Sequence, residues 1–312
     1  MKLTPKKRRR ILALGIVALV LLSPLLVYAM ARLGVRLPAG KAGLRFTAEA
    51  GGQPCWVNTM DSRIPHTNLY DVMQSHMQAE NAKLLFIGYD GALATAAGQQ
   101  AQLPESAMGA LAQQGGLWLA QTGGSFPGEQ QTRTAPGWTS MFTGVWAGRH
   151  GVHKNGDTLD PGVRTVLYQW SERGKDVSFS YSWEPHGTET YKHEAEKFPG
   201  VFRCCADDAG TLDSMLEAVE AGQDAVFGIL EYTDHAGHSM GYSAGSPFYK
   251  KAMKDAEAAA NELIAAAQAR EEQYGEDWLI VITTDHGGYG FDHIAHSLME
   301  TTTFIAANKA IF

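Results

Sequence analysis

The chain has 312 residues, 45% hydrophobic and 19% charged. That is ordinary globular composition with enough chain to bury a large core, and it excludes a disordered chain, a coiled coil and a multi-span membrane protein. The net charge is −7, and six of the 26 Lys and Arg fall within residues 2–10, so the remainder is more acidic still. Nucleic-acid polymers, whose binding rests on Lys and Arg, are not expected partners.

Lys6-Lys7-Arg8-Arg9-Arg10 precedes an uncharged apolar run over residues 11–31. Cations ahead of such a run keep the N-terminus in the cytoplasm and send the rest across the membrane. The run is long enough for a spanning anchor. Pro24 and the A-x-A signature Ala29-Met30-Ala31 fit a cleaved signal peptide instead. Either version exports the domain, membrane-anchored or secreted into the periplasm or extracellular space. Residues 32–65, with Pro38, Pro54 and several Gly, read as a linker and irregular lead-in, and residues 66–312 as the catalytic domain. The three cysteines allow one disulfide, Cys55 to Cys204 or Cys205, and leave one thiol over.

Residues 67–81 are polar and helix-compatible. Residues 84–89 are a continuous apolar run ending at Asp90-Gly91, the pattern of a parallel strand buried on both faces. Residues 117–120 read as a weaker strand. A helix opens near Pro136, since Pro suits a first turn. Residues 177–181 alternate as a strand, and residues 225–232 form a strong strand ending at Thr233-Asp234. An Ala-rich helix covers 250–270, and a last buried strand, 279–283, ends at Thr284-Asp285-His286-Gly287-Gly288. This alternation predicts an α/β fold with a mostly parallel central sheet and helices on both faces.

Three expected strands each end in an Asp: Asp90, Asp234 and Asp285. Ligands bind at the carboxyl ends of strands in open α/β sheets. Three carboxylates converging there repel unless a cation neutralises them. Two are followed by His at short spacing, His238 and His286, and carboxylate with imidazole suits zinc or manganese. Thr134 places a hydroxyl at an expected helix start, where backbone amides favour an anion.

Asp90-Gly91, Thr134-x-Pro136, Thr143-Gly144, His150-Gly151, Asn155, Asp234-x-x-Gly237-His238 and Asp285-His286-Gly287-Gly288 occur in this order. Together they resemble the alkaline phosphatase superfamily, in its type I phosphodiesterase/nucleotide pyrophosphatase branch, over roughly residues 83–306. The resemblance implies an alkaline-phosphatase-like fold with a metal site at the strand ends. It implies two divalent ions, zinc or manganese: one on Asp90, Thr134, Asp285 and His286, the other on Asp234, His238 and a later His, His293 or His296. It implies Thr134 as nucleophile, and Asn155 with the amides following Thr134 as stabilisers of the phosphoryl oxygens. Thr134 in T-x-P departs from the Ser of alkaline phosphatases proper and from the modified Cys of arylsulfatases. The expected substrate is a small phosphodiester or nucleotide, although T-A-P-G stands where T-F-P-N is usual in the branch. Phosphomonoester hydrolysis, a membrane-anchored phosphoethanolamine-type transferase and an inactive binding module are the alternatives, and oligomeric state is open. The resembled proteins continue past the last ligand, so the end at Phe312 reads as a minimal or shortened form. Trp138, Trp183 and Tyr289 are candidates to stack on a base or to sit in the core, and Trp183 to His186 to form a substrate-side loop. Tyr232 and Thr233 are expected in the strand. His235 reads as a neighbour of the site or a surface group, and His66, His76, His150, His153 and His193 as structural or surface groups.

Overall fold

The computed structural model describes residues 55–312. The expected export segment, residues 1–31, and the lead-in up to residue 54 lie outside the described residues. Strand β1 (Ile64–Pro65) is followed by α1 (Asn68–His76), β2 (Ala82–Tyr89), α2 (Ala94–Gln100), α3 (Ala107–Gln114), β3 (Gly116–Gln121), α4 (Thr134–Thr143), α5 (Ala147–His150) and α6 (Val166–Glu172). Then come β4 (Val177–Tyr181), a π-turn (His186–Thr190), α7 (Lys192–Lys197), β5 (Phe202–Cys204), α8 (Asp208–Glu220), β6 (Ala225–Leu230) and α9 (Tyr232–Met240). The helix α10 (Pro247–Tyr274), β7 (Asp277–Thr283), α11 (Leu298–Thr301) and β8 (Thr302–Ala307) complete the order.

The eight strands form one sheet in the order β1-β3-β8-β7-β2-β6-β4-β5. Only β8 runs antiparallel to its neighbours, β3 and β7. Side chains alternate across the sheet with the period of two that a strand imposes. Leu85, Ile87 and Tyr89 of β2, with Trp278, Ile280 and Ile282 of β7, enter one apolar layer. Leu84 and Phe86, with Leu279 and Val281, enter the layer on the other face. Burial on both faces explains why β2, β6 and β7 read as unbroken apolar runs.

Helix α10 covers the first face. Pro247 starts it, and Gly275, left-handed at φ 68°, stops it. Its buried positions Tyr249, Met253, Ala256, Ala260, Leu263, Ile264 and Ala267 recur at three- and four-residue spacing, one stripe against the sheet. All ten residues of α4 are buried on the other face. That burial holds the turn carrying Thr134 against the sheet.

The described part of the expected lead-in packs on the sheet: the Val57 amide donates to Leu117 O, the Asn58 side chain bonds the Leu119 backbone, and β1 pairs with β3. Three expectations are corrected. Helix α1 ends at His76, whose Nε2 lies 3.0 Å from the carbonyls of Lys83 and Asp277 where two strands begin. Tyr232 and Thr233 open helix α9 instead of extending β6. The three cysteines are free thiols, Cys55 packed against the first apolar layer and Cys204 exposed at the end of β5.

Candidate active site

Three parallel neighbours, β7, β2 and β6, occupy the middle of the sheet, and their carboxyl ends meet on one edge. Asp90 directly follows β2, and Asp285 comes two residues after β7. Both are fully buried, as is His286. Each carboxylate is held by one oxygen. Trp138 Nε1 donates to Asp90 Oδ2 at 3.1 Å, and the Gly91 amide donates to Asp285 Oδ1 at 3.2 Å. The other oxygens point at one atom: His286 Nε2 lies 3.5 Å from Asp90 Oδ1 and 3.2 Å from Asp285 Oδ2. His286 Nδ1 lies 2.7 Å from the Gly287 carbonyl, which only accepts, so the proton sits on Nδ1 and Nε2 carries a lone pair. Asp90 Oδ1, Asp285 Oδ2 and His286 Nε2 are buried without a hydrogen-bond partner. A buried polar atom without a partner is costly, and three converging lone pairs are a donor set for a cation.

A second group adjoins the first. Asp234 lies in the first turn of α9, and His238 sits four residues on, which puts both on one helix face. Asp234 Oδ2 is 3.4 Å from His238 Nε2, and Asp234 Oδ1 is 3.7 Å from His293 Nε2. The two imidazole Nε2 atoms face each other at 3.1 Å. Their Nδ1 atoms are committed to carbonyls, His238 to Phe291 at 2.9 Å and His293 to Thr132 at 2.6 Å. Both Nε2 atoms therefore carry lone pairs, which repel at that distance unless a cation lies against them. His293 stacks on His286 with ring centroids 3.8 Å apart, so the two groups share a wall. Of the two late histidines, His293 joins this cluster. His296 is half-buried, has φ 53° and turns toward Gly123.

The electrostatics fit the same reading. Burial, then repulsion from Asp285 and Asp234, pushes the Asp90 carboxyl far above the carboxylate range. Burial does the same to Asp285, with Asp234 adding to it. Burial, then the neighbouring His293, holds His286 well below the ordinary imidazole value, and burial lowers His293. Protein groups alone leave the anions without countercharge. The donors, carboxylate oxygens and neutral imidazole nitrogens, are those that divalent transition metals prefer.

Thr134 is the first residue of α4, 6% exposed, and its hydroxyl makes no hydrogen bond among the described residues. The chain before it is tied to the second group, because Thr132 Oγ1 donates to the His293 carbonyl and His293 Nδ1 donates to Thr132 O. The helix behind it is pressed on the first group through Trp138 and Gly137. A Cβ at Gly137 would lie 2.7 Å from Asp285 Cβ and 2.8 Å from its carbonyl oxygen. We expect Gly137→Ala to lose about 1–2 kcal/mol, the overpacking cost of roughly 1–3 outweighing the helix-propensity gain of up to about 1. Thermal unfolding followed by circular dichroism measures this, and a variant as stable as the parent refutes the close approach.

One sequence expectation fails here. The amides following Thr134 are not available to an anion. The Ala135 amide donates to Asn155 Oδ1 at 3.0 Å, residue 136 is proline, and the Gly137 amide donates to the Arg133 carbonyl at 3.0 Å. Asn155 is thereby brought to the turn that carries Thr134. With its oxygen engaged, its Nδ2 remains to donate.

Sequence reasoning missed several residues. Tyr242 OH donates to Asp234 Oδ1. Gly91, at φ +63°, is required beside it, since a Cβ would come within 2.7 Å of that same oxygen. Trp138 was expected in the core or on a base. It is fully buried and also positions Asp90, a role visible only once Gly88 is seen to make room for its ring. Arg133 precedes Thr134 with its Nε buried and unpartnered. Trp183 is half-buried with its ring against His186, while Tyr289 is half-exposed. His235 is exposed, 3.8 Å from Glu231. His66 and His150 are buried on hydrogen bonds to Thr303 and Ser140, His76 is half-buried, and His153 and His193 are exposed.

Residues 158–308 match the family described as type I phosphodiesterase / nucleotide pyrophosphatase. No curated protein matches the chain. Among solved structures, a putative sulfatase from Bacteroides thetaiotaomicron shares the fold at TM-score 0.52 and 12% identity, over 74% of this chain and 65% of that one. Inactive murine ectonucleotide pyrophosphatase / phosphodiesterase 5 in complex with AMP gives TM-score 0.48 and 19% identity, over 66% of this chain and 57% of that one. An alkaline phosphatase from the Antarctic bacterium TAB5 gives 0.47 and 12%, over 72% and 90%. The chain thus spans little more than half the length of the murine structure.

Proposed function

We propose that the protein, whose residues 158–308 match the type I phosphodiesterase / nucleotide pyrophosphatase family, hydrolyses phosphodiester or pyrophosphate bonds of small, nucleotide-like substrates, with Thr134 as nucleophile and two divalent ions, zinc or manganese, as cofactors. The observation that carries this reading is the convergence of three buried, unpartnered lone-pair atoms on Asp90, Asp285 and His286. Asp90, Asp285 and His286, with Thr134, would hold one ion, and Asp234, His238 and His293 the other. When bound, such ions polarise phosphoryl oxygens and favour ionisation of a hydroxyl.

The chain's own residues do the rest. Thr134 Oγ1 attacks phosphorus in line, forming an O–P bond as the bond to the leaving oxygen breaks. The hydroxyl proton passes to solvent, the leaving oxygen takes one up, and water later cleaves the threonyl phosphate ester, which still carries the substrate's other group, and restores the hydroxyl. Asn155 Nδ2, fixed because Oδ1 holds the Ala135 amide, donates to an equatorial oxygen. Trp138 and Tyr242 keep Asp90 and Asp234 in place. The cations at residues 6–10 ahead of the apolar run place this domain, in our reading, outside the cytoplasm, anchored or secreted.

One observation favours a second reading. Arg133, next to Thr134 in the chain and with its Nε buried and unpartnered, suits a phosphoryl group carrying two negative charges, a monoester. Hydrolysis of bis-p-nitrophenyl phosphate against p-nitrophenyl phosphate by the zinc-loaded protein separates the two. Diester preference is expected. Monoester preference moves the protein to the second reading with the same residues. Turnover of neither by folded, zinc-loaded protein leaves a transferase awaiting its acceptor or an inactive binding module.

A further inference from the structure

Asp292 is exposed and has no part in the ligand sets above. One of its carboxylate oxygens and one ring nitrogen each of His238 and His293 nevertheless lie within 4.8 Å of one another. Its turn explains only half of the carboxylate: Oδ1 accepts the His293 amide at 2.8 Å. On the inner side, Asp234 Oδ1 is occupied by Tyr242 OH, so Asp234 offers Oδ2 toward His238. Asp234, His238 and His293 make three protein donors, the number typical of a site with an open fourth position. The two facing Nε2 lone pairs, 3.1 Å apart, call for positive charge between these same two imidazoles.

We propose that Asp292 is a fourth, solvent-side protein ligand of the outer cation, completing Asp234, His238 and His293. The inference rests on the metal reading above and changes the character of the site. Two carboxylates give it a harder donor set, and the fourth ligand narrows access to the ion.

The test uses the full chain, stripped of metal and titrated with zinc against a chromophoric chelator, beside Asp292→Asn and Asp292→Glu. Asn keeps an oxygen for the His293 amide, so the turn is preserved. Two zinc equivalents are expected on the parent. Asp292→Asn should weaken one of them by at least roughly tenfold, with the other unchanged. The cobalt(II)-loaded variant should show an altered visible spectrum, and Asp292→Glu should restore binding. Two equivalents bound by Asp292→Asn as tightly as by the parent overturn the inference. So does weakened binding with an unchanged cobalt spectrum, which marks a charge effect without ligation. A parent that takes up no second equivalent overturns the two-ion reading itself, and this inference with it.

Discussion

Thr134→Ala is expected to reduce diester turnover by at least roughly a thousandfold, about 4 kcal/mol of barrier, while the protein stays folded. The hydroxyl makes no hydrogen bond among the described residues, but the substitution also deletes a buried methyl group, so the variant should lose about 1 kcal/mol of stability and stay folded. Cation binding should persist, since Asp90, Asp285 and His286 remain. Thr134→Ser should keep a readily measured rate, because it keeps the oxygen and loses only the methyl. Rapid quench of the parent with a labelled diester should trap phosphate on the peptide containing Thr134, and the Ala variant should trap none. A near-parental rate in the Ala variant would sink the nucleophile assignment, since the nearby Thr132 hydroxyl is bonded to the His293 carbonyl. Full activity in Ser and none in Ala, with no trapped phosphate, would instead point to a hydroxyl that positions water.

How far the site was legible in the sequence follows from the physics of each element. Asp90 and Asp285 were legible because β2 and β7 are buried on both faces, so their apolar runs are continuous and their ends sharp. Asp234 was legible as a carboxylate but not as a helical one. Tyr232 and Thr233 have strand propensity, and tertiary contact overrides it: the Glu231 amide is held by Asp208 Oδ1 at 2.6 Å just where the chain turns into α9. The antiparallel β8 was missed. Thr302–Ala307 is antiparallel to both neighbours, and its pairing with β3, far off in sequence, is made only by the fold.

The closed state of the helix N-terminus was beyond sequence reasoning for a similar cause. A helix start reads as a set of free amides. Here one amide is absent at Pro136, one is used within the turn, and the third is taken by Asn155, twenty residues away. Asn155, expected beside these amides as a second stabiliser, caps the turn through Oδ1. Trp138 and Tyr242 follow the same rule. Each reads as an ordinary core aromatic, and each uses its one polar atom to hold one carboxylate oxygen, leaving the other directed at an imidazole.

His186 carries the second large prediction, and it concerns stability. It lies in the π-turn, fully buried, with neither ring nitrogen hydrogen-bonded. Its ring contacts Phe179, Tyr181 and Trp183 edge-on and stacks on Tyr191. Burial lowers its pKa from 6.5 to about 3. Between those values the unfolded chain binds a proton that the folded chain refuses, so stability contributed by the neutral ring is present above 6.5 and is lost as the pH falls toward 3. Because the folded value lies well under 5, the loss at pH 5 is set by the unfolded value and amounts to about 2 kcal/mol at 1.36 kcal/mol per pH unit. Other buried groups titrate in this range as well, among them Glu231, raised to about 8 first by burial and then by Asp234, and they contribute with the opposite sign. The pH profile of the parent alone therefore does not isolate His186, but a difference between two chains does. His186→Phe removes the titrating group and both unpartnered nitrogens while keeping a ring for the aromatic contacts. Its stability relative to the parent, from urea unfolding, should be about 2 kcal/mol more favourable at pH 5 than at pH 7.5, whatever its offset at pH 7.5 from fitting a larger ring. A difference that does not change between the two pH values would mean that the imidazole is solvated or hydrogen-bonded in the folded protein, and that the aromatic enclosure around the π-turn is not closed.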